Sequence, residues 1–242
     1  MRKLHDLLRD RGGMTLVELL VAASLLCVVI TMFAAALRPA AETTRRIEDL
    51  NNAQIIVDDL LETLRGEIEN AQTYIKCYPS GSKIAEDGGA ATGGSSIEFK
   101  NSDGFAVLLS AEGCADTAIV RTTAAAGTTT AKAIAPGYLI ERWYRLSTDN
   151  TYTFSENGTP TARALTAVYD PKGFYMGFTV KLDFSVDYTE QAAKSVTATV
   201  TVYRGGTQTS ANNANKMYSD SLVIDLRYSP KFTNRQITAK AV

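Results

Sequence analysis

Residues 14–37 read MTLVELLVAASLLCVVITMFAAAL, an apolar run interrupted by one charge, Glu18. As a helix at 1.5 Å per residue the run spans about 36 Å, enough to cross a hydrocarbon core of about 30 Å. A carboxylate placed in that core costs about 2–3 kcal/mol even on the lenient insertion scale, and somewhat less near an end. Glu18 therefore needs a partner, or it snorkels to the headgroups. Which of these holds decides what the segment is for.

The flanks set an orientation. Before the run, Arg2, Lys3, Arg9 and Arg11 stand against Asp6 and Asp10; after it, Arg38, Arg45 and Arg46 are offset by Glu42, Glu48 and Asp49. Positive excess on the N-terminal side predicts a cytoplasmic N-terminus and an extracytoplasmic remainder. Three readings fit such a segment. One is a plain signal anchor, and a second is a removable secretory signal with a small-residue cleavage site at Ala34–Ala36. Against the second, the run is long for a signal core and carries a charge.

The third reading accounts for the charge. The stretch RGGMTLVELLVA, residues 11–22, closely resembles the leader of type IV prepilins and pseudopilins. The resemblance is specific over about residues 8–40, and the rest of the chain is compatible with it. It implies that residues 1–13 form a leader, that prepilin peptidase cleaves between Gly13 and Met14, and that the new amine of Met14 is N-methylated. Methionine stands where phenylalanine is more usual. Counted from Met14, Glu18 is the fifth mature residue, and the resemblance implies that it pairs with the N-terminal amine of a neighbouring subunit. The implied partners are other pilin or pseudopilin subunits, the peptidase, a membrane assembly platform and membrane lipid. The implied place is first the plasma (inner) membrane, as a single-pass protein, and then a surface or periplasmic filament.

Beyond the run, Ile47, Leu50, Gln54, Val57, Leu61, Leu64, Ile68, Ala71 and Ile75 recur in steps of three and four, with only Gln54 polar. That spacing predicts an amphipathic continuation of the helix over residues 39–76, its stripe widened by Ile55 and Leu60 and suited to packing on a sheet. Pro39 removes one backbone bond and clashes with the preceding turn, so a bend or local break is expected where the membrane half, 14–38, meets this second half.

Residues 77–242 read as a β-rich head. GFTVKLDFSVDY, SVTATVTVYR and DSLVIDLRY alternate apolar and polar residues with period two, the mark of half-buried antiparallel strands. Further strand candidates are SIEFK, GFAVLLSA, TAIVRTT, YLIERWYRL and RALTAVY, the last before a DPKG turn. AEDGGAATGGSS, TTAAAGTTTAKA and GGTQTSANNAN read as mobile exposed loops. The expected fold is α+β: a long N-terminal helix laid on an antiparallel sheet, as the pilin resemblance also implies.

Little in the composition suggests chemistry. The chain holds 25 basic and 26 acidic residues, which argues against a dedicated nucleic-acid module. Its tail, RYSPKFTNRQITAKAV, carries four cations and no acid and reads as a solvated extension. The single histidine, His5, lies in the leader, so the mature chain would offer no imidazole for catalysis or metal binding. Asp149, Asn150, Glu156 and Asn157 are possible calcium oxygens without the spacing of a recognised site. No cofactor, metal or catalytic residue is assigned, and the chain is not read as an enzyme. Of three cysteines, Cys27 lies in the apolar run and packs as a small hydrophobe. Cys77 and Cys114 share one compartment, and if it is oxidising a bridge between them would add about 3–4 kcal/mol through the unfolded state.

Two functional classes lead, ahead of a third, an ordinary anchored extracellular enzyme, that would be active without assembly and independent of Glu18. One is a minor pilin or pseudopilin serving a type IV pilus, a type II secretion system or a competence pilus. The other is a membrane-anchored extracellular adhesin or ligand-binding module that uses its loops.

Overall fold

The computed structural model describes residues 15–79, 91–112, 119–120, 130–131, 135–145, 151–153, 162–170, 172–205, 215–232 and 238–240. The chain divides into two units, Met1–Asp49 and Leu50–Val242. Helix α1, Leu16–Ile68, runs through the division and is unbroken at Pro39. Of the bend or local break expected there, the break is absent. Two hydroxyls occupy the carbonyls just there: Thr43 Oγ1 donates to the Pro39 carbonyl at 2.8 Å and Thr44 Oγ1 to that of Ala40 at 3.0 Å.

In the second unit α1 buries Ala53, Ile56, Val57, Leu60, Leu61, Leu64 and Ile68. The spacing puts all seven on one face. It is not quite the face expected: Ile55 is 53% exposed, and Ile47 and Leu50 are exposed as well. The helix also stops earlier, because strand β1, Gln72–Tyr78, takes over. Apolar residues at 71 and 75 fit a helix stripe, but the run Thr73–Tyr78 is rich in aromatic and β-branched side chains that prefer the pleat. A bulge between Gln72 and Ile75 makes the corner, with Thr73 at φ 61°.

Two antiparallel sheets carry the head. The first has order β1-β3-β4-β7-β9, with β3 Ser96–Lys100, β4 Phe105–Ser110, β7 Ile140–Arg145 and β9 Ala162–Ala167. The second has order β12-β11-β10-β2, with β2 Gly93–Gly94, β10 Phe178–Thr189, β11 Ala192–Arg204 and β12 Lys216–Asp225. Ile97, Phe99, Val107 and Leu109 of the first sheet and Val180, Leu182, Phe184, Val196, Ala198 and Val200 of the second join the buried face of α1 in one core. The α+β expectation holds, with two sheets on the helix in place of one. Among the described residues there are two smaller pairs: β5 Ile119–Val120 with β6 Thr130–Ala131, and β8 Thr151–Thr153 in parallel with β13 Thr238–Lys240.

Two segments read as loose are tied down. Within AEDGGAATGGSS, Ala91 bridges Cys77 while Gly93 and Gly94 pair with Ser185 and Phe184, so the stretch stitches the two sheets together. Glycine is required because a Cβ on Gly94 would lie 2.3 Å from the Tyr78 carbonyl oxygen. The tail is likewise not simply solvated. Arg227 donates from its N–H to the Glu69 carbonyl at 3.1 Å, and its Nε meets Glu69 Oε1 at 2.7 Å. Lys231 N–H reaches the Thr73 carbonyl at 2.9 Å, and Ala193 N–H reaches that of Pro230 at 2.8 Å.

Two substitutions check this packing. Leu60→Ala should cost about 2–5 kcal/mol in chemical denaturation of the full chain, and Ile55→Ala less than about 0.5 kcal/mol. Gly94→Ala should lower the melting temperature, since the clashing atom is backbone and cannot turn aside.

Candidate functional site

The segment with the most to explain is the start of α1. Thr15 is its cap: the Thr15 N–H donates to Glu18 Oε2 at 3.3 Å, the hydroxyl lies 3.4 Å from the same oxygen, and Thr15 Oγ1 accepts the Glu18 N–H at 3.3 Å. Leu19 N–H closes the first turn on the Thr15 carbonyl at 3.1 Å. This is a reciprocal capping box, in which the cap residue and the third helical residue satisfy each other's exposed backbone donors. It also sets a carboxylate against the positive end of the helix dipole. The spacing Thr-x-x-Glu is the sequence signal for it, and sequence reasoning missed it.

From Leu16 to Leu37 the helix is exposed on every side. It is long and apolar enough to cross a membrane, by length and composition. Its few other polar groups are satisfied within the helix: Ser24 Oγ donates to the Val21 carbonyl and Thr31 Oγ1 to that of Val28, both at 2.8 Å. Cys27 is an exposed free thiol on this surface, not a packed one. Gly13 and Met14 lie outside the described residues, as do Cys114 and the four candidate calcium residues. Cys77 is a free thiol, fully buried, and burial pushes it up to about 12.

Residues 8–34 match the family model of the prokaryotic N-terminal methylation motif. The chain carries that motif. It is the type IV prepilin-like signal, and it supports a pilin-like or pseudopilin substrate of prepilin peptidase. The match spans the cap and most of the exposed apolar helix, which fits a membrane-anchored pilin. The two sheets on the outer part of α1 are consistent with a pilin-like fold. No curated protein and no solved structure matches the chain.

A second polar cluster lies in the head, and nothing in the sequence pattern announced it. Glu67, near the end of α1, and Glu141 on β7 are both half-buried, and each carboxyl acts on the titration of the other. The Trp143 indole N–H donates to Glu141 Oε1. Desolvation, then the neighbouring Glu141 carboxylate, then the shared hydrogen bond raise Glu67 from its ordinary 4.5 to about 7. Glu141 is raised by burial as well, against the lowering effect of the hydrogen bonds that it accepts from Trp143 and Glu67. Among the described residues, no group of three or more His, Cys, Asp or Glu side chains is placed to hold a metal ion.

The cap carries its own test. Thr15→Ala should weaken the first helical turn by about 1 kcal/mol. Hydrogen exchange at the Glu18 and Leu19 amides of the full chain in detergent should then speed up about fivefold, while exchange in the head stays unchanged.

Proposed function

We propose that the chain is a minor pilin or pseudopilin: a structural subunit of a type IV pilus, a type II secretion system or a competence pilus. Prepilin peptidase removes residues 1–13, Met14 becomes the methylated N-terminus, and α1 carries the subunit from the membrane into a filament. The observation behind this reading is the methylation motif over residues 8–34, which overlies a helix whose membrane-length apolar surface is bare on all sides. Such a surface has two stable surroundings, lipid and a bundle of similar helices.

Glu18 supplies the selectivity. Among the described residues of a single subunit its carboxylate is held by Thr15, through contacts of 3.3–3.4 Å that are long for charge-assisted bonds. Cleavage after Gly13 would create an ammonium on Met14 of each subunit. Paired across two subunits inside a bundle, the ammonium and the carboxylate neutralise each other where neither is hydrated. Removing one partner of such a buried pair costs about 3–5 kcal/mol. Axial misregister would leave both charges unpaired, so the pair fixes register as well as affinity.

Two measurements test the reading. The intact mass of protein recovered from cells should correspond to a chain that starts at Met14 with one added methyl; a start at Leu37 would indicate ordinary secretion. Glu18→Ala should be processed normally yet fail to enter filaments, and normal incorporation of this variant would exclude the assembly role.

A further inference from the structure

We infer that Asp220 guards the open edge of strand β12 and keeps it from pairing with the same strand of a second copy of this chain. The inference does not depend on the pilin reading. β12 is bonded to β11 on one side, and among the described residues nothing pairs with its other side. An edge of this kind is a template for another strand. The residues on it favour such pairing: Leu222, Val223 and Ile224 form an apolar run without proline or glycine, and Val223 is 60% exposed.

The register fixes which backbone groups face outward. Leu226 N–H donates to the Lys194 carbonyl at 3.0 Å, one step beyond the Ser195–Asp225 pair. Bonded positions recur at every second residue of an antiparallel ladder. Ile224, Leu222, Asp220 and Tyr218 therefore turn their backbone groups to β11, while Asp225, Val223, Ser221 and Ser219 turn theirs outward. Both ends of this edge are blunted. Arg227, next in the outward series, gives its N–H to the Glu69 carbonyl at 3.1 Å. At the other end the register shifts between Val202 and Tyr203, and Lys216 stands exposed; bulges and edge lysines both discourage pairing. The open part is the middle.

Ser221 lies in that middle, and its outward N–H is taken: Asp220 Oδ1 accepts it at 2.7 Å. The carbonyl of an incoming strand would bond the same N–H at about 2.9 Å. The carboxylate oxygen thus stands where that carbonyl would have to stand. Two copies paired about a two-fold at residue 220 would also set two Asp220 carboxylates directly opposite each other, where like charges destabilise a sheet. Paired about residue 221, each Ser221 N–H would need the carbonyl of the other Ser221, and both caps would be in the way.

The test is hydrogen exchange on the full chain in neutral detergent, read at single residues in dilute and in concentrated protein. In the unmodified chain the Ser221 amide should exchange about tenfold more slowly than those of Ser219 and Val223, equally at both concentrations. Asp220→Ala should lose that difference when dilute, and when concentrated all three outward amides should slow together as copies pair. Association through α1 leaves these amides fast, so it is not mistaken for edge pairing. The inward amides of Leu222 and Ile224 should stay slow throughout. Adding Val223→Pro to Asp220→Ala removes one outward donor and should abolish the slowing. Equal exchange at Ser219, Ser221 and Val223 in the unmodified chain, outward amides that stay fast in concentrated Asp220→Ala, or slowing that persists with Val223→Pro would each overturn the guard.

Discussion

Seven side chains on one face of α1, from Ala53 to Ile68, are withdrawn from solvent, and both main sheets turn apolar residues toward them. At about 25 cal/mol for each Å² of apolar surface removed from water, this shared burial is the largest favourable contribution available to the head. The rest of the head is arranged around it. The corner at Thr73 turns the chain from helix to sheet without leaving the core, and Gly93–Gly94 closes the gap between the sheets, with no room for a side chain at Gly94. The tail from Arg227 to Lys231 covers the exposed backbone at the helix end.

The same helix has the opposite character before Asp49, where its apolar side chains are exposed on all sides. One element thus presents a surface finished by its own chain and a surface that only other molecules can finish. In the proposed filament the unfinished part is the surface through which subunits associate. A cap that ties Glu18 to Thr15 suits such a subunit, because it keeps the carboxylate hydrogen-bonded before any neighbour arrives without burying it.

Where a segment's pattern had one meaning, it was legible in the sequence. The strict alternation of Phe178–Tyr188 and of Val196–Val202 fits only a half-buried strand, and both strands stand where expected. Ala71 and Ile75 fit a helix stripe and a strand equally well, and the competition was settled by β-preferring neighbours, so α1 ends at Ile68 and not near 76. Gly93 and Gly94 have loop composition, yet they form a strand for a tertiary reason: they pair with Ser185 and Phe184 of β10, and at Gly94 the Tyr78 carbonyl passes too close for any Cβ. Glu67 and Glu141 are 74 positions apart in the sequence, and no local spacing brings them together. Glu18 is legible as an oddity, but the Thr-x-x-Glu spacing that ties it to Thr15 is a weaker signal than a charge in an apolar run.

The self-contained hydroxyls of Ser24 and Thr31 have a consequence for how this helix can change surroundings. Each already donates to a carbonyl of its own turn, so neither asks anything of lipid, water or a neighbouring helix. Moving the segment from one apolar medium to another would break no hydrogen bond made by either hydroxyl. Of the polar side chains within α1 up to Leu37, that leaves Glu18 as the group able to tell a bilayer from a protein interior.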